Sequence, residues 1–195
     1  DLTGQVRLPA FLTDAYSDVI AANQIILTFF NIPPVVLQTA SRIPGGYNTI
    51  RINFGKESIM REQIESNWDS FALNSMLAFR ESSLRYRAQP YFKLLMKVFR
   101  NPIEYPLFDR YWKMVSSIER DKEINLDYFA FQHERFGDVK YMASSTITIT
   151  SFGELFLVQY LPLDERTSQI FEQVAKETGQ NVVRIAPWPV KNFVK

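Results

Sequence analysis

Tyr141-Met-Ala-Ser-Ser-Thr-Ile-Thr-Ile-Thr150, then Ser151-Phe-Gly153 and Leu155-Phe-Leu-Val-Gln-Tyr-Leu161, is the stretch that decides the fold. Thr146, Thr148 and Thr150 alternate with Ile147 and Ile149, the two-residue period of a strand whose faces differ. Leu155 to Leu161 is a second run of β-forming residues, and the connection between the two contains a glycine. The pattern predicts an antiparallel hairpin within Val139 to Leu163. A lone hairpin is marginal in water, so the remaining chain must add strands and pack helices against it.

Upstream, Tyr128 to Phe136 reads as a strand that places Phe129, Phe131 and His133 on one face, with Gly137-Asp138 turning it into the hairpin. At the start of the chain, Leu8 to Asp14 is an extended run and Ala15 to Asp18 a turn. Val19 to Ala22 is a second strand, and Asn23 caps a helix from Gln24 to Phe30. Pro33-Pro34 ends that unit. Asn48 to Phe54 fits either a strand or a helical turn.

Between these ends the period becomes helical. Met60, Ile64, Trp68, Phe71, Met76 and Phe79 predict one long amphipathic helix, with Arg61, Glu62, Glu65 and Asp69 on its other side. Pro90 opens a second helix with Phe92, Leu95, Met96 and Phe99 inward. A third carries Ile103, Leu107, Tyr111, Met114 and Val115 on one face. Glu119 to Glu123 reads as a solvated linker. Asp164 to Lys176 is a closing helix ended by Gly179, and Asn181 to Lys195 an extended arm.

Strands at both ends with helices between them predict an α+β fold. The expected form is a five-stranded antiparallel sheet covered on one face by helices, the element order of PAS-type sensor domains. Residues 1–180 form the domain in this reading, and residues 181–195 a C-terminal extended tail.

Composition narrows the function. Among 195 residues, a net charge of +1 gives no general electrostatic case for nucleic acid. Cysteine is absent, which removes disulfides and thiolate chemistry and fits a reducing cytoplasm. No apolar run reaches the ~20 residues of a membrane span. His133 is the single histidine, and no Gly-x-Ser-x-Gly elbow accompanies it, so a hydrolytic triad is disfavoured. One His and no Cys leave only an all-carboxylate metal site, and no calcium-loop spacing occurs. No phosphate-binding glycine loop is present. The Arg80…Arg85-Tyr-Arg87 cluster reads as a solvated helix end.

Sixteen phenylalanines imply an aromatic interior, either solid or enclosing a cavity. Phe29, Trp68, Phe71, Phe92, Tyr111, Phe129, Phe131, Ile147 and Tyr160 are expected to converge between helices and sheet. Ala143 and Ser145 are the small strand positions that could leave room for a ligand. Arg51 and His133 are the candidates to meet a ligand carboxylate.

The order of several short motifs resembles the ligand-binding domain of MmyB-type transcription regulators. Leu8-Pro-Ala-Phe-Leu-Thr-Asp14…Asp18-Val-Ile-Ala-Ala-Asn23 is similar to that family's opening. Asn48-Thr-Ile-Arg51-Ile-Asn-Phe54, Asn101-Pro-Ile-Glu104-Tyr-Pro-Leu-Phe108-Asp-Arg110-Tyr-Trp112 and Gly153-Glu-Leu-Phe-Leu-Val-Gln-Tyr160 resemble later segments. The family's Arg-His-Asp-Val run after the Trp is replaced here by Lys113-Met-Val115, and the tail after Gly179 lies outside the pattern.

The resemblance implies an effector-sensing, non-enzymatic domain of a bacterial regulator, linked to a helix-turn-helix DNA-binding domain outside this sequence. It also implies a fatty-acid-like ligand in an apolar PAS-like cavity, no cofactor, and Arg51 at a matching position. A homodimerising interaction module with a solid core, a lipid carrier and an enzyme of unrecognised class stand as the alternatives.

Overall fold

The computed structural model describes residues 7–58, 60–64, 67–117, 128–179 and 181–191. Strands β1 (Ala10–Asp14) and β2 (Val19–Asn23) open the chain. The turn between them is built by Asp14, whose Oδ1 accepts from the backbone N–H of Tyr16 at 2.9 Å and of Asp18 at 3.1 Å. Helix α1 (Gln24–Phe29) follows directly. Asn23 caps it by accepting from Ile26 N, and the same side chain joins Ala10 N and Leu8 O across the sheet.

Short helices α2 (Pro34–Gln38), α3 (Thr49–Phe54) and α4 (Met60–Gln63) lead to α5 (Trp68–Ser83), α6 (Pro90–Phe99) and α7 (Phe108–Ser117). The chain ends with β3 (Tyr128–His133), β4 (Gly137–Thr150), β5 (Gly153–Pro162), α8 (Glu165–Thr178) and β6 (Val182–Arg184).

The sheet runs β3-β4-β5-β1-β2-β6, every neighbouring pair antiparallel. It has six strands, not the five expected. The extra one comes from the tail, where Val182 to Arg184 pair with Asn23 to Ala21. Asp164 caps α8 through Thr167 N, and Gly179, with φ +68°, ends it.

Two further expectations change. The stretch from Met60 to Phe79 is not one helix: α4 and α5 are separate, and Asn67 N donates to Ile64 O in a turn ahead of α5. Ile103 is exposed because α7 begins only at Phe108, and within α7 it is Phe108, Tyr111 and Val115 that are buried while Met114 is exposed. Asn48 to Phe54 resolves as helix, since Asn48 caps α3 by accepting from Ile50 N. Glu119 to Glu123 lies outside the described residues.

Candidate ligand site

The helix-covered face of the sheet is set by alternation on β3 and β4. Phe129, Phe131 and His133 are buried, opposite Tyr141, Val139 and Gly137. Side chains opposite one another on paired strands share a face, so Tyr160 of β5, opposite Ala143, lies there too.

Tyr141 is the hub. Its ring stacks on Tyr160 at 4.5 Å and on Phe129 at 5.1 Å, and meets Phe131, Phe29 and Phe171 at 6.1, 6.2 and 6.4 Å. Such centroid distances are ring contacts, not gaps. The Tyr141 hydroxyl is buried without a hydrogen-bond partner, and burial first, then Tyr160, raises its pKa. Phe71 joins this shell through Phe129 at 5.8 Å and leads to Trp68 at 5.9 Å. Phe54 bridges Trp68 to Tyr111. The structure therefore brings Phe29, Trp68, Phe71, Tyr111, Phe129, Phe131, His133 and Tyr160 into one connected aromatic body. Phe92 is buried in the same core.

Ala143, Ser145 and Ile147 behave differently. They continue the helix-facing side of β4 past Tyr141, but Ala143 is only half-buried, Ser145 is exposed and Ile147 is 57% exposed. Their neighbours on the same face are Tyr160, Val158 and Phe156 of β5, then Phe11 and Thr13 of β1. Phe11 packs its edge on Tyr160 at 6.2 Å. An apolar floor thus runs out of the aromatic shell with incomplete cover. Its far end carries Glu154, opposite Ile149, whose two carboxylate oxygens accept from Nη1 and Nη2 of Arg85 in the turn after α5. Sequence reasoning missed Phe11, Phe156, Val158 and Arg85. The period-2 pattern of β5 held the signal for the two β5 residues.

Both predicted cations are engaged by backbone away from this floor. Arg51 donates to Val36 O and Gly46 O, both at 3.0 Å, and to Thr39 Oγ1. It ties α3 to α2 and the preceding turn. Burial first lowers its pKa. His133 holds α1 to the β3–β4 turn: its Nε2 lies 2.6 Å from Phe29 O, and its Nδ1 accepts from Arg135 N at 3.0 Å. A carbonyl only accepts and an amide N–H only donates, so this geometry selects the neutral imidazole with hydrogen on Nε2. Both nitrogens are engaged by the backbone.

Burial is the first cause lowering the His133 pKa from its ordinary value of 6.5. With the folded-state pKa below the unfolded one, the unfolded chain binds the extra proton. His133 therefore contributes its full stability above about pH 6.5 and loses it as pH falls below that. Urea midpoints measured from pH 7.5 to 5.5 should drop more steeply for the native chain than for His133→Gln, whose amide offers one donor and one acceptor without a charge. Equal slopes would remove His133 as the cause.

A surface cleft of about 400 Å³ lies at the α5–α7 junction, lined by Arg61, Asn67, Trp68, Asp69, Arg110 and Tyr111 among others. Its polar edge is the Tyr111 hydroxyl, which donates to Asp69, and burial followed by that bond pushes the phenol up to about 12. Among the described residues no group of three or more His, Cys, Asp or Glu is placed to hold a metal, and no helix is long and apolar enough to cross a membrane.

Fold and site together define an α+β domain with a partly uncovered apolar face. Residues 2–174 match the family described as the MmyB-like transcription regulator ligand binding domain, and the chain belongs to that family. It is thus a regulatory ligand-binding domain. No curated protein matches the chain.

Proposed function

We propose that this chain is the effector-sensing domain of a bacterial helix-turn-helix regulator, and that its effector is a small apolar molecule such as a fatty acid. The observation that carries the reading is the half-covered floor of Phe11, Ala143, Ser145, Ile147, Phe156 and Val158 leading out of the aromatic shell. The first two strands lie beside the last three long ones, a PAS-like order extended by β6. An alkyl chain laid along the floor would gain ~25 cal/mol for each Å² of apolar surface covered, before the costs of association.

Arg85 is the cation placed at the end of the floor. A ligand carboxylate there would compete with Glu154 for its guanidinium fork. Exchange of that partner would couple the ligand to the end of α5, and the ligand would shift the domain only by its differential affinity for the two states. The domain works without chemistry in this reading, in the cytoplasm, and reaches DNA through its linked domain.

Solvent extraction of the purified protein followed by mass spectrometry should release a lipid, and long-chain fatty acids should raise Tm. Ser145→Trp, which fills the floor from an exposed position, should abolish that rise. It should leave the unliganded stability within about 0.5 kcal/mol, as for other surface changes. The reading fails if no lipid is found and no shift occurs. A full shift in the Trp variant moves the ligand away from the floor.

Exposed Ile147, Ile149 and Phe152 at the hairpin end favour one rival, a homodimer interface. Sedimentation that shows a concentration-dependent dimer lost in Ile149→Lys, with no lipid effect, would support it.

A further inference from the structure

The described part of the C-terminal tail ends at Lys191, whose ammonium sits in a cup formed at the turn between β1 and β2. Lys191 Nζ binds Asp14 Oδ2 and lies 2.6 Å from Asp18 Oδ2. The ring centres of Tyr91 and Tyr16 stand 4.9 and 5.3 Å from the same nitrogen. These two rings meet edge to face at 5.1 Å, and Tyr86 backs Tyr16 at 5.2 Å. Asp18 is held from behind by Tyr91 Oη at 2.6 Å and Asn48 Nδ2 at 3.0 Å. Asp14 and Asp18 are only 3% and 1% exposed. Two buried carboxylates and two aromatic faces around one nitrogen form an aromatic cage for an ammonium group.

Every wall of the cup comes from residues inside the family match, whereas Lys191 lies beyond it. Without a cation, two adjacent carboxylates out of water could not both stay ionised. Burial first, then Asp18, already raises the Asp14 pKa, and Lys191 opposes them. Backbone bonds from Ile185 N to Ile20 O and from Ala186 N to Val19 O bring the tail alongside β2 and toward the cup.

We propose that this cup is an ammonium-binding site, separate from the apolar floor, which Lys191 occupies in cis and which a small primary alkylamine enters when the lysine is withdrawn. Burial of both carboxylates restricts entry to a narrow alkylammonium. The tethered lysine acts as a strap, since its effective concentration exceeds that of a weak free ligand.

Lys191→Ala empties the cup while leaving room for a ligand. Its Tm should fall, and n-butylammonium chloride should restore more than half of the loss in a saturable way. Sodium chloride at equal ionic strength and n-butanol should not, and the native chain should show no such rise. Tetramethylammonium, a cation without N–H donors, should restore less. If the single variant does not fold, Asp14→Asn/Lys191→Ala, whose cup holds one carboxylate, takes its place in the same titration. An absent butylammonium response, or an equal response in the native chain, overturns the proposal. Neither outcome bears on lipid binding at the floor.

Discussion

Phe29→Ala is expected to cost about 4 kcal/mol, within the 3–5 kcal/mol range for emptying a packed aromatic site. Phe29 is fully buried at the C-terminal end of α1. Its ring meets those of Phe30 and His133 at 4.9 Å, Phe171 at 5.2 Å and Phe136 at 6.1 Å, besides Tyr141 and Phe131. No neighbour can close such a hole without leaving its own contacts. The His133 bond to the Phe29 carbonyl survives the change, so the loss isolates ring packing. At 2–4 °C per kcal/mol for a chain of this size, Tm should fall by roughly 8–16 °C. Urea unfolding should show a lower midpoint with an unchanged slope. Phe152→Ala at the exposed hairpin tip should stay within about 0.5 kcal/mol. A Phe29→Ala loss under ~1 kcal/mol would mean that this shell is loosely filled, and the ligand would then belong inside it instead of on the floor beyond it.

That contrast explains where the sequence was readable. Phe129, Phe131 and His133 alternate on a strand whose partner is three residues away through a glycine turn, so face and register follow from local pattern. The hairpin from β4 to β5 was equally plain. Alternation, however, says which side Ile147 is on, not whether a helix lies over it. Ile147 shares its side with the shell yet remains exposed, because cover depends on how far the helices reach, a non-local fact.

The break before α5 was hidden for a related reason. Met60, Ile64 and Trp68 keep four-residue spacing across it, so the stripe continues while the helix does not. Strand β6 is three residues long, and its place is set by pairing with β2 in the first part of the chain. Arg51 and His133 are the sequence's candidates to meet a ligand carboxylate, Arg51 because it falls at a position that the family resemblance matches. Val36 and Phe29, two of their backbone partners, are 15 and 104 residues away, so no spacing rule reveals them.

Asn48→Ala is the second large effect, at about 2–4 kcal/mol. Asn48 is fully buried and works in two directions. Its Oδ1 accepts from Ile50 N and starts α3, a cap worth ~1 kcal/mol. Its Nδ2 donates to Tyr16 O at 2.6 Å and Asp18 Oδ1 at 3.0 Å, gripping the β1–β2 turn. Alanine removes a donor from two buried oxygens, but Tyr91 and Lys191 still bind the Asp18 carboxylate, so the cost of about 1–3 kcal/mol falls on the unsatisfied Tyr16 O. Asn48→Asp keeps the shape and the cap but sets a second carboxylate against Asp18, so above neutral pH it should be no better than alanine. Asn48→Ser retains the cap alone and should recover only the ~1 kcal/mol that capping supplies. Midpoints for the three variants, read by urea unfolding at pH 7.5, separate the two duties. If Ser matched the native chain, the grip on the turn would count for nothing, and α3 would be joined to the sheet by its apolar contacts alone.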